Sequence, residues 1–179
     1  MKSSIPAFAA ILLATLAIPM PLCHGEDLSP DEKIAANLGK TEALGKLTLD
    51  QKATDVEKLL GAPDSKSKAV HEEGGSGDWV ETWKYAKQGI ELRMGAQGKK
   101  EVKRILLITA SPACKLATAR GIKIGSTKEE VEKAYKDVKA KDASFAEKDT
   151  FVVGSISPGL VFTFKDSKVN GILFGELGD

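Results

Sequence analysis

The sequence predicts an α+β protein made of two tandem α-α-β-β-β units, each with two helices packed on a small antiparallel sheet. Three observations favour this fold: the chain of 179 residues has room for two small units, helical patterns precede groups of strands, and this order occurs twice. A unit of about 75–80 residues is marginally stable alone. We therefore expect the two units, residues 28–109 and 110–177, to bury a shared face.

The tandem arrangement is inferred from an internal repeat. Four short stretches of the first unit are echoed in the second unit in the same order, and the offset between partners shrinks along the chain. Recurrence in a constant order is typical of duplicated structural units. The matching pairs are residues 29–35 with 111–117, 56–58 with 131–133, 89–94 with 159–164, and 102–106 with 169–173.

The first helix of each unit begins at a Ser-Pro pair. Ser29 is a good N-cap, Pro30 suits the first turn, Glu32 completes a capping box, and Gly39 can end the helix. The echo at 111–121 keeps Ser, Pro and Gly but lacks the Glu. We therefore expect a helix of only a turn or two in the second unit.

The second helix of each unit has stronger signals. In the first unit it covers about 52–60, where Gly61 ends it and Pro63 prevents its continuation. In the second unit Ser126 and Glu129 form a capping box ahead of an apolar stripe at helical spacing. The stripe consists of Val131, Tyr135 and Val138.

Three strands follow the helices of each unit. Residues 90–94 alternate strictly between apolar and polar, which indicates one buried face and one wet face. Residues 102–109 are almost continuously apolar, which favours a central strand covered on both faces. The predicted strands are 79–85, 90–94 and 102–109, then 150–155, 160–165 and 169–174.

Residues 1–25 are typical of a secretory signal peptide. Lys2 is the only charged residue before Glu26, residues 7–18 are apolar apart from one Thr, and Pro19 follows. The apolar run is shorter than the roughly 20 residues that a transmembrane helix needs. The sequence therefore predicts an exported protein of the periplasm or the extracellular space, and the alternative is an N-terminal anchor that stays on the chain.

The fate of Cys23 depends on the cleavage site. Cleavage after Gly25 removes it, whereas cleavage after Ala17 keeps it and makes a disulfide with Cys114 an option in an oxidising compartment. A lipoprotein signal would instead acylate Cys23, but Leu22 stands where such signals normally have Gly, Ala or Ser.

Charge and hydropathy limit the classes of partner. The net charge is +1, and loss of residues 1–25 would leave equal numbers of basic and acidic residues. Nucleic-acid-binding domains usually carry a basic face, so we expect no nucleic-acid partner. The remaining chain has no second apolar stretch long enough to cross a membrane, so we expect no stable membrane insertion once the signal is removed.

A further group of residues predicts a glycine-bounded turn, followed by a helix and a three-strand meander. These residues are 121–131, Ala134, Tyr135, 159–164 and 169–173, with 49–61, Trp83, Tyr85, Ile90 and Leu92 in the first unit. The pattern resembles the superfamily of the β-lactamase inhibitor proteins and the small lipoprotein of the outer-membrane barrel-assembly machinery. The resemblance implies non-catalytic binding of a protein partner in the cell envelope or outside the cell.

The chain departs from this superfamily pattern at two places. The first unit has Asp50 where the second unit has Gly125. The Leu22-Cys23 pair does not support the lipid anchor that is typical of the assembly lipoprotein. The second departure argues against a role in outer-membrane assembly specifically.

Five residues are candidates for binding a partner. Trp79, Trp83 and Tyr85 lie on one face of a predicted strand, and Trp and Tyr are enriched among the residues that dominate interfaces. Glu91 and Arg93 would flank this patch if the open face of the sheet is used. The alternative interpretation places the three aromatic side chains in the core beneath the helices.

The sequence predicts no catalytic residue, metal site or cofactor. His71 and Cys114 are the only His and Cys after residue 25, and no spacing of residues favours a nucleophile–base pair or a set of metal ligands. Residues 74–77 are glycine-rich but lack the Lys and Ser/Thr of a phosphate-binding loop.

Three hypotheses about function follow. The first is an exported, non-enzymatic module that presents a sheet face or the groove between its units to a protein. The second is an inhibitor or immunity protein that inserts the 66–78 loop into the cleft of an enzyme. The third, an enzyme, would require convergent polar groups that this sequence does not display.

Overall fold

One antiparallel sheet of eight strands forms the framework of the computed structural model, which describes residues 30–73, 77–140, 149–154 and 157–177. The helices in these ranges are α1 (Pro30–Thr41), α2 (Ala53–Leu60) and α3 (Lys128–Tyr135). The strands are β1 (Ser65–Lys66), β2 (Val70–His71), β3 (Trp79–Tyr85), β4 (Ile90–Ala96), β5 (Arg104–Ala110), β6 (Thr150–Gly154), β7 (Gly159–Lys165) and β8 (Lys168–Gly175). The predicted signal peptide, the Ser29 cap, Cys23 and residues 74–76 lie outside the described residues.

The strand order is β1-β3-β4-β5-β8-β7-β6, and β2 also pairs with β3. The predicted α+β class is confirmed. The six predicted strands are present with ends shifted by at most two residues, and β1 and β2 were not predicted. We call α2 with β1–β5 the first half and α3 with β6–β8 the second half.

The two halves join edge to edge, whereas the sequence predicted that they bury a shared face. Strand β5 pairs with β8, and Thr109 opposite Leu173 lies at the centre of this pairing. The main-chain hydrogen bonds of β5 and β8 therefore continue one sheet across the junction.

The structure does not contain two tandem α-α-β-β-β units, because residues 111–121 form turns and isolated bridges rather than a helix. The reason lies at Ser111, whose N–H and hydroxyl both donate to the carbonyl oxygen of Gly89, at 2.9 and 3.2 Å. The hydroxyl is thus directed at the β3–β4 turn, and it does not cap a helix as the Ser-Pro pattern predicted.

The segments before α2 and α3 make the same bonds with the last strand of each half. The N–H of Asp50 donates to the carbonyl of Ile105 at 3.0 Å, and that of Gly125 donates to the carbonyl of Val169 at 2.8 Å. Asp50 and Gly125 both have positive φ, of 59° and 89°, and Asp tolerates this conformation better than most residues. The geometry makes Val169 the counterpart of Ile105, whereas the sequence match assigned that place to Ile172.

Helix α1 precedes the first half in sequence but packs on the second half, against β6. Ala35 and Leu38 are its buried residues. A Cβ built on Gly154 would lie 3.4 Å from both Ala35 Cα and Leu38 Cδ2, so strand and helix approach closely there. The helix also runs two residues past Gly39, where the sequence predicted its end.

The core lies between the helices and one face of the sheet. Alternate residues of β4 point into it, as the strict alternation of residues 90–94 predicted. Each described helix contributes buried residues to the same cluster, including Leu38, Val56, Val131 and Tyr135. Strand β5 is central, as predicted, and the described helices pack on one of its faces, while Leu107 on the other face is half-buried.

The capping box of α3 is formed by Thr127 and Glu130, one residue later than the sequence predicted. The Thr127 hydroxyl accepts from the N–H of Glu130 at 3.2 Å, and the Glu130 carboxylate accepts from the N–H of Thr127 at 2.7 Å. Ser126 is unsuitable as the cap because its N–H and carbonyl are bonded to Lys123 and Val169.

We expect Thr127→Ala to lower the free energy of unfolding by about 1 kcal/mol, because it removes the hydroxyl that accepts from the N–H of Glu130, while the main-chain N–H of residue 127 remains. Urea denaturation followed by circular dichroism measures the change. Lys52→Ala is the matched control, since Lys52 caps α2 without a side-chain hydrogen bond. Equal losses in the two variants would contradict the role of the capping box.

Candidate partner-binding face

The three candidate aromatic residues lie on the core side of β3. Trp83 and Tyr85 are only 3% and 1% exposed, and Trp79 is half-buried. Trp83 and Tyr85 pair with Leu92 and Ile90, which also point toward the helices. These positions agree with the alternative interpretation, in which the aromatic side chains belong to the core.

Polar partners satisfy both buried aromatic groups. The indole N–H of Trp83 donates to Glu81 Oε1 at 2.6 Å, and Glu81 also forms an ion pair with Lys103 at 3.3 Å. The Tyr85 hydroxyl donates to the carbonyl of Gly61 at 3.3 Å, and burial raises the pKa of Tyr85 to about 12. Both side chains are therefore integrated into the fold.

Glu91 and Arg93 lie on the opposite side of the sheet, which we call the open face. The buried residues of the described helices lie on the other side. The described residues that define the open face are Lys84, Glu91, Arg93, Leu107, Thr109, Val161 and Leu173.

Arg93 connects the two halves across the open face. Its guanidinium forms ion pairs with Glu72, which follows β2, and with Glu176, which follows β8, the latter at 3.3 Å. The side chain of Arg93 is 20% exposed, so its position is constrained by its surroundings as well as by the two carboxylates. Burial raises the pKa of the Glu176 carboxyl, while Arg93 acts in the opposite direction.

The open face changes from charged to apolar between the halves. In the first half Lys84 and Glu91 lie in register on β3 and β4 and form an ion pair at 3.1 Å. In the second half Val152 and Val161 lie in register on β6 and β7. Leu173 lies next to Val161 and both are half-buried, whereas Val152 is only 3% exposed, so Val161 and Leu173 form the apolar part of the open face in the second half.

His71 and Cys114 lie at opposite ends of β3. His71 is exposed on β2, with its ring 5.3 Å from that of Trp79 at the beginning of β3. Cys114 is buried beside Gly89, beyond the end of β3, and burial raises the pKa of its thiol. The structure therefore does not bring the two groups together as a nucleophile and base.

Sequence reasoning missed two groups of residues. Strand alternation predicts the apolar members of the open face only when it is known which side of each strand the helices cover. These members are Leu107, Val161 and Leu173. The ion pair between Arg93 and Glu176 joins residues that are far apart in sequence, so no local sequence pattern predicts it.

No family model, curated protein or solved structure matches this chain. Within the described ranges, no group of three or more His, Cys, Asp or Glu residues could hold a metal ion. None of the helices in those ranges is long and apolar enough to cross a membrane.

Proposed function

We propose that this chain is an exported, non-enzymatic protein-binding module of the cell envelope, and that the open face is its binding surface. The observation that carries the proposal is the composition of this face. Half-buried apolar residues, Leu107, Val161 and Leu173, lie next to a constrained arginine and an ion pair. Protein interfaces combine an apolar centre with a polar rim in the same way.

Arg93 supports this proposal on energetic grounds. Arginine is enriched among the residues that dominate binding energy, because its planar guanidinium makes several directed hydrogen bonds. A side chain already held by Glu72 and Glu176 loses less conformational entropy when a partner docks on it. Arg93 and Glu91 therefore remain in the proposed surface, while the buried Trp83 and Tyr85 support it from the core.

The duplicated architecture is part of the proposal. Two repeats at 28–109 and 110–177 would account for the matching hydrogen bonds of Asp50 and Gly125. A tandem relative of the β-lactamase inhibitor and assembly-lipoprotein superfamily would have this organisation, and it would bind a protein rather than catalyse a reaction. Residues 1–25 would direct such a protein to the periplasm or the extracellular space.

We expect Leu173→Lys to weaken partner binding by at least about tenfold, because a charge at the centre of an interface costs more than 1.4 kcal/mol when it is desolvated without a partner. The test uses the immobilised protein to capture proteins from envelope extract, with each captured protein quantified by mass spectrometry. A protein retained by the unaltered chain and lost with Leu173→Lys is a candidate partner.

The matched control is Val102→Lys, which adds the same charge at a residue that is 61% exposed and outside the open face. This variant should retain the same proteins as the unaltered chain. The open face is excluded as the binding surface if Leu173→Lys has native circular dichroism and captures every partner undiminished.

A further inference from the structure

Glu176 lies where the two halves of the sheet meet. It directly follows β8, and its main-chain N–H donates to the carbonyl oxygen of Leu106 in β5 at 3.0 Å. Its carboxylate accepts from Arg93 Nη1 of β4 at 3.3 Å, and Arg93 also forms an ion pair with Glu72. Arg93 therefore stands between carboxylates that come from different halves.

A second arginine in the same cluster is shared in the same way. Arg104 Nε of β5 lies 3.1 Å from Asp50 Oδ1, and Arg104 Nη2 lies 3.6 Å from Asp78 Oδ2. Asp78 is 2% exposed. Four carboxylates thus share two guanidinium groups in these ion pairs, which leaves an excess of negative charge when all are ionised. Such an excess in a partly buried place favours uptake of a proton by one carboxylate.

The surroundings of Glu176 favour its protonated form. Burial raises the pKa of the Glu176 carboxyl, and the negative charges of Asp78 and Glu72 raise it further. Arg93 and Arg104 act on this pKa in the opposite direction, and the net effect is a raised pKa. Glu176 is therefore the member of the cluster that we expect to bind a proton as the pH falls.

Solvent can deliver that proton. The side chain of Glu176 is 35% exposed, and it lines a cavity of about 250 Å³ beside α1. The other charged residues that line this cavity are Lys40 and Asp50.

We propose that Glu176 is the proton-binding group of a pH-sensitive tie between the two halves of the sheet. Under mildly acidic conditions its carboxylate takes a proton from solvent and its ion pair with Arg93 is lost, while Arg93 keeps its ion pair with Glu72. The net charge around Arg93 on the open face then becomes more positive by one. Main-chain hydrogen bonds join β5 to β8, so the sheet itself persists. The tie does not depend on what the open face binds.

Carboxyl-carbon NMR of the unaltered protein, titrated from about pH 8 to about pH 3, tests this proposal. We expect the Glu176 carboxyl to titrate with a midpoint above about 4.3, the ordinary value for glutamate. The guanidinium signals of Arg93 should shift with the same midpoint, because they report the loss of the ion pair, while far-UV circular dichroism stays native. A Glu176 midpoint at or below about 4.3, or Arg93 signals that do not follow it, would overturn the proposal.

Two variants identify the group that binds the proton. Glu176→Gln cannot ionise, so it should abolish the shift of the Arg93 signals at this midpoint. Glu91→Gln is the matched control, because it removes an open-face carboxylate that pairs with Lys84 instead of Arg93, and it should leave the shift unchanged. If the shift survives in Glu176→Gln or disappears in Glu91→Gln, Glu176 is not the proton-binding group.

Stability against urea gives a second test, and its sign is fixed in advance. A carboxyl whose pKa is raised in the folded state binds a proton more readily there than in the unfolded chain. The urea midpoint of the unaltered protein should therefore rise relative to that of Glu176→Gln between about pH 7 and about pH 4. A relative fall would mean that the ion pair with Arg93 outweighs burial, and the proposed tie would then be wrong.

Discussion

Replacing Gly175 by Ala is expected to disrupt the junction between β5 and β8 and to lower the free energy of unfolding by about 3–5 kcal/mol. A Cβ at this position would lie 2.1 Å from the carbonyl oxygen of Leu106 and 2.8 Å from Cα of Leu107. Both atoms belong to the backbone of a central strand. The clash cannot be relieved by a side-chain rotation, so the strands themselves must separate.

The surrounding hydrogen bonds oppose this separation. The N–H of Glu176 donates to the same oxygen of Leu106 at 3.0 Å, and Leu107 lies in register with Gly175. A shift that accommodates the methyl group would weaken the pairing that joins the two halves. Guanidinium denaturation followed by circular dichroism measures the loss of stability.

Gly121→Ala is the control that distinguishes the effect of this clash on stability from the effect of backbone strain. Gly121 also has a positive φ, of 84°, but a Cβ built there meets no atom within 4 Å. We expect this control to lose only about 1–2 kcal/mol, the usual cost of the left-handed conformation for an L-residue. Equal losses at the two glycines would show that close packing of β5 and β8 is not the cause.

Tyr135→Phe is expected to lower the free energy of unfolding by about 2–3 kcal/mol. The Tyr135 hydroxyl donates to Glu42 Oε2 at 2.8 Å and accepts from Thr118 Oγ1 at 2.8 Å. Removing it takes a donor from a carboxylate that is 4% exposed and a partner from a buried hydroxyl. A buried carboxylate that loses a hydrogen-bond donor is destabilised, because that hydrogen bond no longer offsets the desolvation cost of the charge. Burial also raises the pKa of Tyr135, so its hydroxyl remains a donor at neutral pH.

Tyr85→Phe provides the control for loss of a tyrosine hydroxyl. Its hydroxyl donates to the carbonyl of Gly61 at 3.3 Å in a partly buried site, and the acceptor carries no charge. We expect a loss of about 1 kcal/mol or less, measured by the same denaturation experiment. If both variants lose the same stability, the network at Glu42 contributes nothing beyond an ordinary hydrogen bond.

The candidate site could be predicted only in part. Alternation along β4 correctly placed Glu91 and Arg93 away from the core, because successive residues of a strand point to opposite sides. The same rule put Trp83 and Tyr85 on one side of β3, but it cannot say which side the helices cover. That depends on where α2 and α3 dock, and the docking involves residues distant in sequence.

The sequence by itself determined the α+β class, the six main strands, helices α2 and α3, and the end of α2 at Gly61. Each of these depends on interactions within a few residues, such as a capping bond, an apolar period or a glycine conformation. The tertiary structure decided that β5 joins β8, that α1 crosses to the second half, and that Ser111 bonds to the β3–β4 turn instead of capping a helix. These outcomes depend on main-chain edges and side chains that meet only after the chain has folded, and no local pattern specifies them.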